Sequence, residues 1–204
     1  MGSNRSTGSK GIVLCGFVFL LSQSAAAQSF EAGIHIPIAQ WSEFDGNDIG
    51  IGGRVTWKPA SLIGVDADLS WYPSDFPPDT LAFSGSRFEG LFGVTVGPQI
   101  DRVRPFAKVA GGFLRSSASQ AAFACITIFP PPLACLMAAG QTMPAFEIGG
   151  GVQVDVASRT FARVDIGARW LSYPGPSFRT FPTIQEDNFW GSGVRLAFGA
   201  GVRF

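Results

Sequence analysis

Apolar and polar residues alternate along almost the whole chain from Phe30 onward. In residues 62–72, for example, Ile63 and Val65 are followed by Asp66 and Asp68, which belong to the opposite set. An alternation of period two places the two sets on opposite faces of a β-strand, whereas a helix repeats about every 3.6 residues. Eight segments follow the strand pattern: 30–41, 48–58, 62–72, 86–97, 103–115, 145–156, 161–173 and 188–204. The alternation therefore predicts an all-β chain of eight strands.

The connections between these segments alternate in length. Short, turn-like connections lie at 59–61, 98–102 and 157–160. Long connections lie at 42–47, 73–85, 116–144 and 174–187. Short turns at one rim and long loops at the other are typical of outer-membrane β-barrels, and a soluble sandwich has no such regular alternation. The pattern predicts a closed, antiparallel, up-and-down transmembrane barrel of eight strands, with both termini in the periplasm.

The charged residues of the strand segments fall on the polar face. A membrane barrel must direct its apolar face outward, because Lys or Arg at mid-bilayer on that face costs about 2–4 kcal/mol. Every strongly charged residue of the segments is therefore expected in the interior, where eight strands leave only enough width for side chains to fill. The predicted interior charge network comprises Glu31, Asp66, Asp68, Glu89, Glu147, Asp155 and Asp165 with Arg54, Arg87, Arg104, Lys108, Arg163, Arg169, Arg195 and Arg203.

The first 27 residues have the three-part pattern of a secretory signal peptide. Arg5 and Lys10 form a basic region, residues 12–21 are uncharged and apolar, and small residues 24–27 precede Gln28. An apolar run of this length is too short to span a bilayer, which takes about 20 residues. The prediction is a cleaved signal over residues 1–27 and a barrel domain over residues 28–204.

The cysteines agree with export. Cys15 lies in the signal, which leaves Cys125 and Cys135 in the long segment 116–144. A disulfide between them is the favoured interpretation, because exported proteins meet an oxidising compartment. A metal or redox pair is the alternative, although the segment contains no His and no C-x-x-C spacing.

Three stretches carry a family resemblance. Residues 199–204 end in Phe204 after alternating apolar positions, and residues 104–112 and 146–152 are similar to the fifth and sixth strands of small barrels. The chain resembles the OmpA-like and OmpX-like porin-type outer-membrane β-barrel family. The resemblance implies insertion by the barrel-assembly machinery, with Phe204 as the assembly signal, and contact with outer-membrane lipid, including a lipopolysaccharide leaflet. It implies no substrate and no cofactor.

No motif points to catalysis, a metal or a nucleotide. Lys plus Arg and Asp plus Glu both number 15, so no net field indicates a nucleic-acid partner. His35, the only histidine, lies mid-strand on the polar face, with no serine at a spacing that indicates a lipid-modifying enzyme. We expect no enzyme and predict a structural or surface-interaction role. The alternatives are a transporter of small hydrophobic molecules or limited diffusion pore, and a lipid-modifying enzyme. The uncharged, apolar segment 116–144 is the candidate surface for a hydrophobic solute or a partner.

Overall fold

The computed structural model describes most of the chain beyond its N-terminal segment. The described residues are 29–41, 47–73, 85–118, 140–174, 177–180, 183–186 and 188–204. The signal predicted over residues 1–27 and the pair Cys125 and Cys135 lie outside them. The strands are β1 (Ser29–Trp41), β2 (Asn47–Ile49), β3 (Ile51–Lys58), β4 (Ile63–Tyr72), β5 (Arg87–Val96), β6 (Val103–Ser116), β7 (Thr142–Asp155), β8 (Thr160–Tyr173), β9 (Ser177–Thr180), β10 (Thr183–Glu186) and β11 (Phe189–Arg203).

The main sheet closes into a barrel. Each strand from β3 to β7 pairs antiparallel with the next, β8 pairs with β11, and β11 pairs with β1 from Glu31↔Arg203 to Trp41↔Gly193. Both β2 and β3 pair with β1, so they act as one strand that is interrupted at Gly50. The predicted closed, antiparallel, eight-stranded β-barrel is confirmed.

Three local expectations differ from the structure. The segment 48–58 is broken at Gly50, where the backbone N–H donates to the carbonyl of Pro37 at 2.9 Å. β7 begins at Thr142, three residues before the predicted start at 145, because the ladder with β6 continues through Met143 and Pro144. Within the predicted loop 174–187, β9 and β10 pair as a separate two-stranded sheet. That loop is long enough to fold back on itself.

The two ends of the barrel differ. We call the end with the connections 59–62, 97–102 and 156–159 the turn rim, where β1 begins and β11 ends. The opposite end, where the long connections begin and end, is the loop rim.

The outward face of the barrel is apolar. Ile34, Phe92 and Ile166 are 70%, 64% and 58% exposed, far more than an apolar core residue of a soluble protein. Trp57 is exposed near the turn rim, and Trp71 and Trp190 near the loop rim, as in an aromatic girdle. Closure of the sheet satisfies the backbone of every barrel strand, which a lipid environment requires.

One charged residue does not follow the expectation for the strand segments. Arg115, at the end of β6, is exposed on the outward face, because its position in the alternation matches Val109 and Phe113 rather than Lys108. It lies at the loop rim, where a charge on the lipid face costs only about 0–1 kcal/mol. The prediction that all charged strand residues point inward is therefore wrong for Arg115.

Candidate functional site in the barrel interior

The inward face of the barrel is the most polar part of the molecule. Successive strands bury alternate residues, and those residues are mostly charged, as in the run Asp66, Asp68 and Ser70 of β4. Since charges are rarely buried without partners, their contacts determine whether the interior is open. The contacts form successive layers between the two rims.

The layer nearest the turn rim is centred on Glu31. Its Oε1 accepts hydrogen bonds from Lys58 Nζ at 2.6 Å, from Arg203 Nε at 2.8 Å and from Gln153 Nε2 at 3.1 Å. Arg203 also reaches Asp155, with 3.0 Å between Nη2 and Oδ1. Side chains from four strands therefore cross the barrel at this level.

The next layer is a chain of alternating charges. Arg163 contacts Asp66 at 2.7 Å and Asp165 at 2.9 Å. Arg54 continues the chain, with 2.7 Å to Asp165 and 2.8 Å to Asp68. Each of the two guanidinium groups thus bridges two carboxylates, which is the arrangement that makes a buried charge tolerable.

His35 lies at the middle of the barrel beside this chain. Its Nε2 is 3.0 Å from Ser70 Oγ and 3.3 Å from Asp68 Oδ1. Arg195 Nη2 donates to the same two groups, at 3.1 Å to Ser70 and 3.0 Å to Asp68. His35, Ser70 and Asp68 are each 3% exposed or less, so solvent and lipid do not reach them. The sequence spacing did not show this serine, because Ser70 lies on β4, two strands away from β1 in the barrel.

A third charged layer lies toward the loop rim. Glu89 is 3.0 Å from Arg169 and accepts a hydrogen bond from Tyr72 Oη at 2.8 Å. Glu147 contacts Lys108 at 2.8 Å, and Arg195 contacts it at 3.6 Å. Arg195 therefore links this layer to the His35 cluster.

Buried apolar side chains share the loop-rim half of the interior with the third charged layer, as where Leu114 pairs with Glu89. The buried residues at this level are Ala39, Tyr72, Leu91, Ala110, Leu114, Met143, Ala145, Leu171 and Tyr173. Closer still to the loop rim, Arg87 Nη2 contacts Asp48 Oδ1 at 2.6 Å. Charged and apolar side chains are therefore mixed in this half of the interior.

The cavity beside Arg54 and His35 is too small to conduct. It measures about 10 Å³, which is at the threshold for a single water molecule. A wider cavity of about 280 Å³ opens at the turn rim beside Lys58, Arg104 and Arg203, below the Glu31 layer. The layers thus separate that vestibule from the loop rim.

The structure places all of the predicted interior charges inside the barrel. All except Arg104 join an ion pair, as the contacts above show. Arg104 instead donates from Nε to the carbonyl of Gly97 at 3.2 Å. The guanidinium of Arg163 lies over the ring of Phe106, at 4.2 Å from the ring centre. Four further residues belong to the layers but were absent from the predicted set, although alternation put all of them on the polar face: Asp48, Lys58, Ser70 and Gln153.

Among the described residues, no group of His, Cys, Asp and Glu could hold a metal ion. In the same part of the chain, no helix is long and apolar enough to cross a membrane.

The closed sheet, apolar exterior and charged interior define the class of the protein: it is a small, eight-stranded β-barrel with the fold of outer-membrane proteins. Neisserial surface protein A has a similar structure, with 15% identity, 87% of this chain and 97% of that chain covered, and a TM-score of 0.50. Outer membrane protein AlkL matches with 13% identity, 100% and 97% coverage and a TM-score of 0.49. A major outer membrane protein from Thermus thermophilus matches with 12% identity, 87% and 100% coverage and a TM-score of 0.47. No family model matches the chain, and no curated protein does.

Proposed function

We propose that this protein is a non-conducting outer-membrane barrel that presents its long loops as an interaction surface. The observation that carries the proposal is the interior: successive layers of ion pairs, together with buried apolar side chains, occupy the barrel between the rims. Opening a path for ions would separate buried partners, and breaking a buried pair costs about 3–5 kcal/mol. In this proposal the barrel serves as a rigid anchor, His35 is a member of the interior network, and the protein has no catalytic role.

Conductance in planar bilayers tests the closed interior. The expected result is no stepwise current above the lipid background across a range of KCl concentrations, under conditions in which a general porin, run as the positive control, conducts. Stable steps that scale with salt concentration would overturn the proposal and favour the diffusion pore.

The proposal also includes an orientation, with the turn rim and both termini in the periplasm. Ser61 and Ser117 are both exposed, and they lie at the turn rim and the loop rim respectively. In a background in which every cysteine is replaced by serine, a membrane-impermeant maleimide added to intact cells should label Ser117→Cys and not Ser61→Cys. The reverse labelling would contradict the orientation.

Insertion through the barrel-assembly machinery, with Phe204 as the signal, is part of the same proposal. Phe204 is 78% exposed at the turn rim.

The loops can be tested without a known partner. Residues 119–139 contain no charge and many apolar side chains, so they should make the surface of an expressing cell more hydrophobic. Replacing them with a Gly-Ser linker of equal length should lower the partition of cells into hexadecane, with equal amounts of folded barrel in both strains. An unchanged partition would remove this segment from the proposed interaction surface.

A second candidate function is the entry of small hydrophobic molecules into the barrel. The buried apolar side chains near the loop rim favour it. Leu114, Met143 and Leu171 line the interior below the loop rim, where a greasy solute would first arrive. Uptake of a fluorescent apolar dye into expressing cells tests this function, with Leu114→Gln as the variant and Leu69→Gln, on the outward face, as its control. Uptake that falls only in Leu114→Gln supports the second candidate; equal uptake with and without the barrel contradicts it.

A further inference from the structure

Arg115 is the only charged side chain that the described barrel strands direct outward. The other charged residues of these strands lie on the inward face, whereas Arg115 is exposed at the end of β6. Apart from the backbone ladder, its guanidinium forms no ion pair or hydrogen bond with any other described residue. A guanidinium without a partner among the described residues is unusual on the lipid face, because that face is otherwise built mainly from apolar side chains.

The height of Arg115 is fixed by the register of the sheet. Trp71 pairs with Phe88, Phe88 pairs with Arg115, and Arg115 pairs with Thr142. These four residues form one row across β4 to β7. Trp71 and Phe88 are 48% and 40% exposed, and Trp71 lies near the loop rim, where the aromatic girdle of a membrane barrel is at the level of the lipid headgroups. Arg115 therefore lies at headgroup depth, not in the hydrocarbon region.

Neutral hydrogen-bonding groups surround the guanidinium. A cavity of about 330 Å³ is lined by Arg115, Ser116, Ser117, Gln141 and Thr142, together with backbone at residues 118 and 140. Ser117 and Thr142 are exposed, and no carboxylate of the described residues lines the cavity. One cation with several neutral donors is complementary to an anion with several oxygens.

Below this row, the outward face becomes aromatic and apolar. Phe113 contacts Phe88 of the row, with 6.2 Å between their ring centres, and Phe113 and its register partner Pro144 lie nearer the turn rim than the Arg115 row. Acyl chains of a lipid whose headgroup occupied the cavity would run along these side chains.

We propose that Arg115, with Ser117, Gln141 and Thr142, forms a binding site for the phosphate group of a lipid in the leaflet at the loop rim. Arg115 forms the charge-assisted contact, since guanidinium groups recognise phosphate oxygens in a bidentate manner. The neutral side chains donate to the remaining oxygens, and Phe113 and Pro144 contact the acyl chains. The occupant is a membrane lipid, because the site faces outward from the barrel.

Native mass spectrometry of the refolded protein in a neutral, phosphate-free detergent tests this site. The probes are dioleoyl phosphatidic acid and dioleoylglycerol, which differ only in the phosphate group. We expect retention of phosphatidic acid by the native chain, about tenfold weaker binding by Arg115→Gln, which corresponds to about 1.4 kcal/mol, and partial recovery in Arg115→Lys. Arg159→Gln is the matched control, because Arg159 is exposed at the turn rim.

Each outcome decides the proposal. Equal binding of phosphatidic acid and dioleoylglycerol, or equal losses in Arg115→Gln and Arg159→Gln, would overturn it. Displacement of phosphatidic acid by millimolar inorganic phosphate would show that the site takes a soluble anion, and would overturn the lipid assignment. A heat-modifiable band in electrophoresis shows for every variant that the barrel is folded.

Discussion

At the residue scale, Asp68 connects two layers of the interior. One carboxylate oxygen faces Arg54, and the other faces Arg195, Ser70 and His35. Because Arg54 and Arg195 are buried, each depends on Asp68 for part of its compensation. A buried pair of this kind adds modest stability in itself, but the loss of one member leaves an uncompensated charge.

We therefore expect Asp68→Asn to lower the free energy of unfolding by about 3–5 kcal/mol. Asparagine has nearly the same shape, so the loss reports the charge rather than the packing. Urea titration in lipid vesicles or micelles measures it. Asp101→Asn is the control, since Asp101 lies exposed in a turn with φ of 54°, a conformation that Asn adopts readily. Similar losses in the two variants would contradict the role given to Asp68.

His35 should matter less than Asp68. Its ring contributes a hydrogen bond to Ser70, but Ser70 and Asp68 keep their contacts with Arg195 when the ring is removed. His35→Ala is expected to fold, with the usual heat-modifiable shift, and to lose about 1–3 kcal/mol. Absence of the folded band would show that the ring is required for barrel assembly rather than for the interior network alone.

At the element scale, the adjacent glycines Gly111 and Gly112 of β6 differ in the space available for a side chain. A Cβ at Gly112 would collide with the carbonyl oxygen of Gly90 in β5, whereas a Cβ at Gly111 would have only the carbonyl oxygen of Ala145 near it, at 3.9 Å. The close approach of β5 and β6 at this point therefore requires a residue without a side chain.

Alanine at these two positions gives a matched pair. Gly112→Ala should destabilise the barrel by about 1–3 kcal/mol, because the backbone must shift to remove the overlap. Gly111→Ala should change stability by no more than about 0.5 kcal/mol. Thermal melting followed by the electrophoretic shift compares them, and equal melting temperatures would argue against a tight approach at Gly112.

The elements also show which features the sequence could predict. Alternation assigns each strand residue to a face, so the inward position of Lys108 and the outward position of Val109 follow from counting. The outward position of Arg115 and the inclusion of Met143 in a strand were harder to predict. A charge near the rim, or a proline at position 144, is typical of the end of a strand. The contact partners of an inward side chain, such as Lys58 for Glu31 or Ser70 for His35, depend on which strands are neighbours and on how far each strand is staggered against the next. No local pattern contains that information.

At the scale of the whole molecule, the stability of the barrel depends on the seam between its first and last strands. β1 pairs with β11 from Glu31↔Arg203 to Trp41↔Gly193. The paired residues are separated in sequence by nearly the whole domain. Without this seam, both strands would expose unpaired backbone groups to lipid, each at a cost of several kcal/mol. The layers of the interior, which join β1 and β11 to the opposite wall, hold the same two strands in place.

A pair of cysteines across the seam tests closure directly. Ala32 and Val202 are register partners, and directly paired strand residues lie within the range of Cα separations that a disulfide spans, about 4.4–6.8 Å. In a background in which every native cysteine is replaced by serine, Ala32→Cys with Val202→Cys should form a disulfide in the folded protein. The oxidised protein should keep a compact mobility after heating without reductant. The control pair, Ala32→Cys with Phe198→Cys, is offset by about 13 Å along the strand and should not cross-link. Equal cross-linking in the two pairs would show that the seam slips, because a sheet of fixed register brings only the first pair together.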